Sequence, residues 1–290
     1  MYKGTTGEKI FDGANNILLL IIAAAMVLPF LYIFAVSFST LSDFLENDFF
    51  LWPKEWVTDA YTYILGSDQF IRSIFVTIYI TVVGTFVNLF FTSTMAYALT
   101  RKISGQRILL FLVLFTMLFS AGMIPTYMIV KETGLLNTWW ALIIPVAISP
   151  YNLIIMRQFF MGIPEELTEA AVIDGANDLQ IFAKIILPLS KPAIAAFGLF
   201  YAVSHWNSYF TGVLYLSDPA MWPIQVILRQ IVIVNEPNAA LGGHEMMESL
   251  PPPETVQMAA ILLATVPILI VYPFLQKHFA KGVMLGSVKG

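Results

Sequence analysis

The chain contains no cysteine. Disulfides and thiolate metal or redox sites are therefore excluded, and thiol usage says nothing about the compartment. Charge is scarce as well. Asp, Glu, Lys and Arg make up 12% of the 290 residues, against roughly 25% in an average soluble domain. The net charge is -4 with no long basic run, which gives no support for nucleic-acid binding. No G-x-x-x-x-G-K-[ST] sequence is present, so the chain has no such loop to cradle ATP phosphates. His205, His244 and His278 are far apart, and no metal site is expected from them. No catalytic residue is expected either.

What the chain has in abundance is apolar surface: 58% of its residues are hydrophobic. Six segments lack any Asp, Glu, Lys or Arg, namely residues 17–38, 75–99, 108–130, 139–156, 192–216 and 258–275. A spanning helix needs about 20 apolar residues. The expectation is an all-α polytopic membrane protein with six transmembrane helices. Segments 139–156 and 258–275 are the shortest, and both carry prolines (Pro145 and Pro150, Pro267 and Pro273). The first segment follows Lys3 and Lys9 as a signal peptide would, but its 22 residues exceed the roughly 7–15 of a signal core. An uncleaved first span is the better reading. The near-absence of ionisable residues inside the spans, His205 excepted, argues against a proton- or ion-coupled transporter and against an intramembrane hydrolase.

Lysine and arginine then orient the chain. With six spans both termini share a side, and 11 of the 15 basic residues fall there, while 12 of the 19 acids fall on the other. Both termini are thus expected in the cytoplasm. Two outer segments are long. Residues 39–74 carry Trp52, Trp56, Tyr61 and Tyr63, rings that suit the headgroup level. Residues 217–257 contain an apolar stretch, 223–234, that predicts a short outer or re-entrant helix, followed by loop over 235–253. Loops of that length are usually functional or disordered; here the choice lies between ligand or partner contact and a plain connector.

On the inner side, residues 161–191 form the longest polar interruption. Pro164 suits the first position of a helix, with Glu165 and Glu166 in its first turn. Leu167, Ala170 and Ala171 share a face, and Gly175 can adopt the left-handed conformation that ends a helix. Asn177 is placed to cap a second helix with Gln180 three residues on. Phe182, Ile185, Ile186 and Leu189 give that helix an apolar stripe. One reading is an amphipathic connector on the inner leaflet. The other is a protein-docking helix pair. The first half has four acids (Glu165, Glu166, Glu169, Asp174) and no base, which anionic lipid would repel, and its small residues permit close approach.

The string EAAVIDGA, then Phe182, then LPLSKP resembles the EAA loop of ATP-binding-cassette importer permeases. His205-Trp206-Asn207 and the tail around Gln276-Lys277-His278-Phe279 are similar to the carbohydrate subfamily, in its smaller, maltose-type second permease. The resemblance covers essentially the whole chain. It implies a type I ABC importer (MetI-like) fold in which residues 1–290 form one permease domain of the cell membrane. The substrate would be oligosaccharides or polysaccharide fragments. The implied partners are a second homologous permease, two ATP-binding cassette subunits that use ATP and Mg, and an extracytoplasmic solute-binding protein. The chain itself would bind no cofactor and catalyse no covalent step. Coupling to the ATPase would run through Glu166, Glu169, Ala170, Ala171, Asp174, Gly175 and Ala176. The second helix, residues 178–189, would move the span that starts at Pro192. Contact with the binding protein would fall around Asn235, Asn238, Gly242 and Gly243.

Neutral polar and aromatic groups inside the spans suit a sugar, because rings cover C–H faces while amides, hydroxyls and imidazoles meet hydroxyl groups. Tyr201, His205 and Tyr209 recur at four-residue spacing as one stripe, and Asn207, Asn88 and Tyr151 are further candidates for the substrate path. The opposing reading is that these groups pack between helices. Two alternatives in function stay open at this point: a permease of the same class for another solute, and a stand-alone secondary transporter.

Overall fold

In hydrocarbon every backbone N–H and C=O must be satisfied within the protein, and a helix does this locally. Every regular element among the described residues is helical. The structure, a computed structural model, describes residues 6–46, 49–235, 237–241 and 251–286. The first elements are α1 (Thr6–Ser37), α2 (Leu41–Glu46), α3 (Asp59–Leu65) and α4 (Asp68–Ala98). Then come α5 (Gln106–Leu118), α6 (Met123–Glu132), α7 (Trp140–Ile143) and α8 (Pro150–Met161). The polar interruption holds α9 (Glu165–Ile173), α10 (Asp178–Ile181) and α11 (Leu187–Leu189). The chain continues through α12 (Lys191–Trp206), α13 (Tyr209–Tyr215), α14 (Ile224–Val232), α15 (Pro237–Ala240) and α16 (Pro253–Gly286).

Three stretches are apolar and long enough to cross a bilayer as single helices: Ile10–Ser37, Asp68–Ala98 and Pro253–Val271. Three more candidates are bent pairs, which brings the total to six if each pair is one span. Here the structure corrects the sequence reading. Residues 108–130 are no single helix: α5 and α6 meet at 118°. Residues 139–156 fall in a pair, Trp140–Val146 and Pro150–Met161, bent by 53°. Residues 192–216 divide into α12 and α13 at Asn207 and Ser208, so Tyr209 opens a new helix and the stripe expected with Tyr201 and His205 is interrupted. A count of apolar residues sees none of these breaks, because side chains stay apolar while the backbone turns. Pro267 and Pro273, by contrast, lie inside the continuous α16.

Contacts divide the chain into two units. The first is Met1–Phe70 with Leu228–Val266. Residues 10–31 of α1 are exposed throughout, an apolar surface for lipid or for another chain. Beyond α1 the rings gather: Phe38 stacks on Tyr61 at 4.5 Å, and Trp56 lies 5.4 Å from Phe38 and 5.1 Å from Trp52. Trp52 and Trp56 are exposed, as rings at a headgroup layer would be, whereas Tyr63 is buried. The buried carboxylate of Asp43 accepts from the Lys54 and Glu55 amides at 3.0 and 3.2 Å, which pins the loop after α2.

The second unit is Ile71–Ile227 with Pro267–Gly290. One of its cores joins Ala96, Tyr97 and Leu99 of the α4 end to Leu153, Met156 and Phe160 of α8, Ile181 and Phe182 of the polar interruption, and Phe197 and Tyr201 of α12. A second core gathers Val76, Ile80, Val130, Ala141, Leu142 and Tyr215. The helix expected over 223–234 is present as α14, and its first amide, Ile224 N–H, donates to Thr77 Oγ1 at 2.7 Å.

Candidate functional site

The polar interruption folds as two limbs, and its corner is set by local chemistry. Pro164 has φ -54° and ψ 131°. It stands as the N-cap, one residue before the helical position expected for it, because its ψ is already extended. Glu165 and Glu166 then sit in the first turn, where the helix dipole favours anions. At the other end Gly175 has φ +83°, a conformation that costs a side chain but not glycine. Its amide donates to Val172 O at 3.0 Å and the Ala176 amide to Ala171 O at 2.9 Å. These two bonds form a Schellman closure. The capping box expected at Asn177 is present: the Gln180 amide donates to Asn177 Oδ1 at 2.9 Å, and the Asn177 amide to Gln180 Oε1 at 3.0 Å. Asn177→Ala is expected to cost about 1 kcal/mol of stability, read as a lower unfolding midpoint of the purified chain. An unchanged midpoint would show that the cap adds nothing to stability.

The second limb occupies Asp178–Leu189, as expected, but it is not uniform. Over Phe182–Ile186 the helix widens by one residue, so that the Leu187 amide reaches back to Phe182 O. Pro188 is the cause at hand: it cannot donate to Lys184 O, and the ladder adjusts just ahead of it. Phe182 and Ile186 are buried while Leu189 is exposed, so the expected stripe is only partly covered.

Of the seven residues assigned to coupling, Glu166, Glu169, Ala170, Asp174 and Gly175 are exposed. Ala171 and Ala176 are half-buried against the core beneath. The limbs also expose large apolar side chains: Leu167, Val172, Ile173 at 86% and Leu179 at 73%.

The residues assigned to a substrate path divide into two groups. Asn207 is exposed, its Nδ2 donating to Val203 O at 2.8 Å; Tyr151 is exposed and Tyr209 half-buried. Asn88 and His205, at 0% and 3% exposure, and Tyr201 lie buried between helices. There they form two polar rungs, one helical turn apart. In the first, His205 Nε2–H donates to Asn88 Oδ1 at 2.6 Å, and Asn88 Nδ2 donates to Val146 O. That carbonyl is the one Pro150, lacking an N–H, cannot reach back to. In the second, the Tyr201 hydroxyl accepts from the Ser149 amide at 3.3 Å and shares a 2.8 Å bond with Thr92 Oγ1. The rungs thus satisfy both sides of the break between Val146 and Pro150, using side chains of α4 and α12.

Sequence reasoning missed Gly84. A Cβ built there would lie 2.5 Å from His205 Nε2, so the absence of a side chain is what lets the imidazole sit against α4. The available signal was a glycine one turn before Asn88 in an otherwise bulky span.

Toward the binding-protein assignment, Asn235 has φ +59° and its Oδ1 accepts from Gln257 Nε2 at 2.8 Å. Asn238 lies in α15. Gly242 and Gly243 lie outside the described residues. No group of three or more His, Cys, Asp or Glu able to hold a metal occurs among the described residues.

Residues 9–285 match the family described as binding-protein-dependent transport system inner membrane component. Protein LplC of Bacillus subtilis (strain 168) is 52% identical over 287 residues, covering 99% of this chain and 97% of the relative. The polygalacturonan/rhamnogalacturonan transport system permease protein YtcP of the same organism is 53% identical over 287 residues, covering 98% and 99%. Among solved structures, a chain of a bacterial ABC transporter involved in the import of the acidic polysaccharide alginate superposes with a TM-score of 0.90. It is 36% identical, with 96% of this chain and 100% of that chain covered.

Proposed function

Since the chain belongs to the family of binding-protein-dependent transport system inner membrane components, we propose that it is the permease subunit of an ATP-driven importer of oligosaccharides or polysaccharide fragments. It forms half of a path through the cell membrane beside a second, homologous permease. Polysaccharide-derived chains are the favoured substrates because they are named for YtcP and for the alginate importer.

The observation that carries the coupling role is the combination on the 161–191 loop. Acids lie exposed beside Leu167, Val172, Ile173 and Leu179, which are left uncovered. Acids keep that face away from anionic lipid, and exposed apolar groups of this size favour burial against another protein. The lysine and arginine asymmetry supports a cytoplasmic place for this loop and both termini. The covering surface is then an ATP-binding cassette subunit, which uses ATP and Mg, needs this loop to reach the path, and hydrolyses the nucleotide that the permease has no loop to hold. Glu166, Glu169, Ala170, Ala171, Asp174, Gly175 and Ala176 make the joint. On the far side, residues 217–257, with Asn235, Asn238, Gly242 and Gly243, meet the solute-binding protein. Asn207, Tyr151 and Tyr209 remain the residues placed to line the path, since Asn88, Tyr201 and His205 are engaged between helices.

The test is reconstitution with the second permease, the ATPase and the binding protein, followed by ATP hydrolysis against a panel of oligosaccharides. Glu169→Lys is expected to lower sugar-stimulated hydrolysis about tenfold or more, equivalent to about 1.4 kcal/mol of lost docking. Full stimulation by that variant would sink the coupling assignment.

A further inference from the structure

A lever moves its load only through a stiff connection. The chain connection from the second limb to α12 turns a sharp corner. Asp178–Leu189 and Lys191–Trp206 meet at 81°, and Pro188, just ahead of that corner, removes a ladder bond. The second limb is instead held sideways. The buried Tyr97, near the end of α4, packs its ring 5.0 Å from that of Phe182. Its hydroxyl donates to Asp178 O at 3.2 Å. Arg101, one turn on, donates its Nε–H to the same hydroxyl at 3.1 Å and lies 3.5 Å from Asp178 Oδ1. Its guanidinium also sits 4.8 Å from the Tyr97 ring centroid.

The ion pair alone is weak, because the Asp178 side chain is 79% exposed and water screens it. The ring contact and the phenol bond to the limb's first turn are the enclosed parts. Just past α4 the backbone is tied in turn. Leu99 O, left without a helical donor, accepts from Gln106 Nε2 at 2.6 Å and from Arg157 Nε at 2.8 Å. Those donors belong to α5 and α8. The second limb, α4, α5 and α8 therefore meet within three residues of chain.

We propose that Tyr97 is a positioning residue for transport, with Arg101 as its support. Together they carry movement of the second limb into α4, and through Leu99 into α5 and α8, by a route that does not depend on the chain connection at Pro192. This rests on the coupling role argued above for the loop. The experiment uses the full reconstituted complex and measures ATP hydrolysed per sugar moved. Tyr97→Phe keeps the ring and removes the hydroxyl. It is expected to raise that ratio about fivefold, the equivalent of one net hydrogen bond. Tyr97→Leu is expected to raise it further. Arg101→Gln placed on Tyr97→Phe is expected to add little, since the Asp178 ion pair it then loses is exposed and screened. A general loss of folding would lower uptake and hydrolysis together and leave the ratio where it was; that result, or no change in any variant, overturns the proposal. If the unaltered complex shows no sugar-stimulated hydrolysis, the coupling role itself is overturned, and the proposal with it.

Discussion

Gly84→Val is expected to leave the purified chain with a much lower unfolding midpoint and no measurable uptake. A Cβ at this position would lie 2.5, 2.7 and 2.8 Å from three atoms of the His205 ring. The ring is buried and hydrogen-bonded to Asn88, so it can withdraw only by giving up that bond. Overpacking a filled interior costs about 1–3 kcal/mol, and the branched valine adds two methyl groups to the clash. Gly84→Ala should show the same effect in smaller measure. His205→Ala in that background should recover part of it, since two residues in contact do not act additively. Thermal unfolding in detergent reads the series. A Gly84→Val chain that melts with the parent would show that the two helices do not approach here.

Asn88→Leu is expected to destabilise by about 2 kcal/mol, and it separates two roles for the same residue. The substitution orphans the Val146 carbonyl and takes the Asn88 acceptor from the His205 ring. A buried group left unpaired costs about 1–3 kcal/mol, while hydrogen bonds between membrane helices average only about 0.6 kcal/mol. The low end of the first range is therefore the better guide, about 1 kcal/mol for each of the two groups. If Asn88 serves the rung, stability falls while the remaining uptake keeps the parent's order of preference among sugars. If it serves the sugar path, the melt stays put and the preference changes. Measuring both on one preparation decides between them, and an unmoved melt would return Asn88 to the path.

The parts legible in the sequence were those governed by neighbours within a few residues. Glycine at 175, asparagine at 177 and glutamine at 180 each act on backbone groups inside the next turn, so the shape of the loop could be read from their order. The six apolar stretches were legible for a similar reason: length and hydropathy are properties of a segment. The breaks were not. Pro150 and the Ser120-Ala121-Gly122 run were visible, but whether the backbone continues past them depends on what replaces the lost bonds. For Val146 the replacement comes from Asn88, 58 residues away. Tyr201 and His205 share one face of α12, but Tyr209, expected in the same stripe, opens the next helix. What that face meets could not be read, because Thr92 and Asn88 come from α4 and Ser149 from the break ahead of α8.

An interruption in a membrane helix can serve as a hinge or as a bracket, and the difference lies in who fills the freed bonds. Between Val146 and Pro150 the freed carbonyl is taken by Asn88, and the Ser149 amide by Tyr201. Bending there would break bonds to two other helices at once. The corner is thus a bracket: it fastens α4, the Trp140–Met161 span and α12 to one another. At the 118° turn between α5 and α6 the Gly122 amide finds the Ser120 hydroxyl, within the turn itself, and residues 119–122 are exposed. No other helix is committed by that bond. The sharper of the two corners is therefore the one free to work as a hinge, and the gentler one is braced.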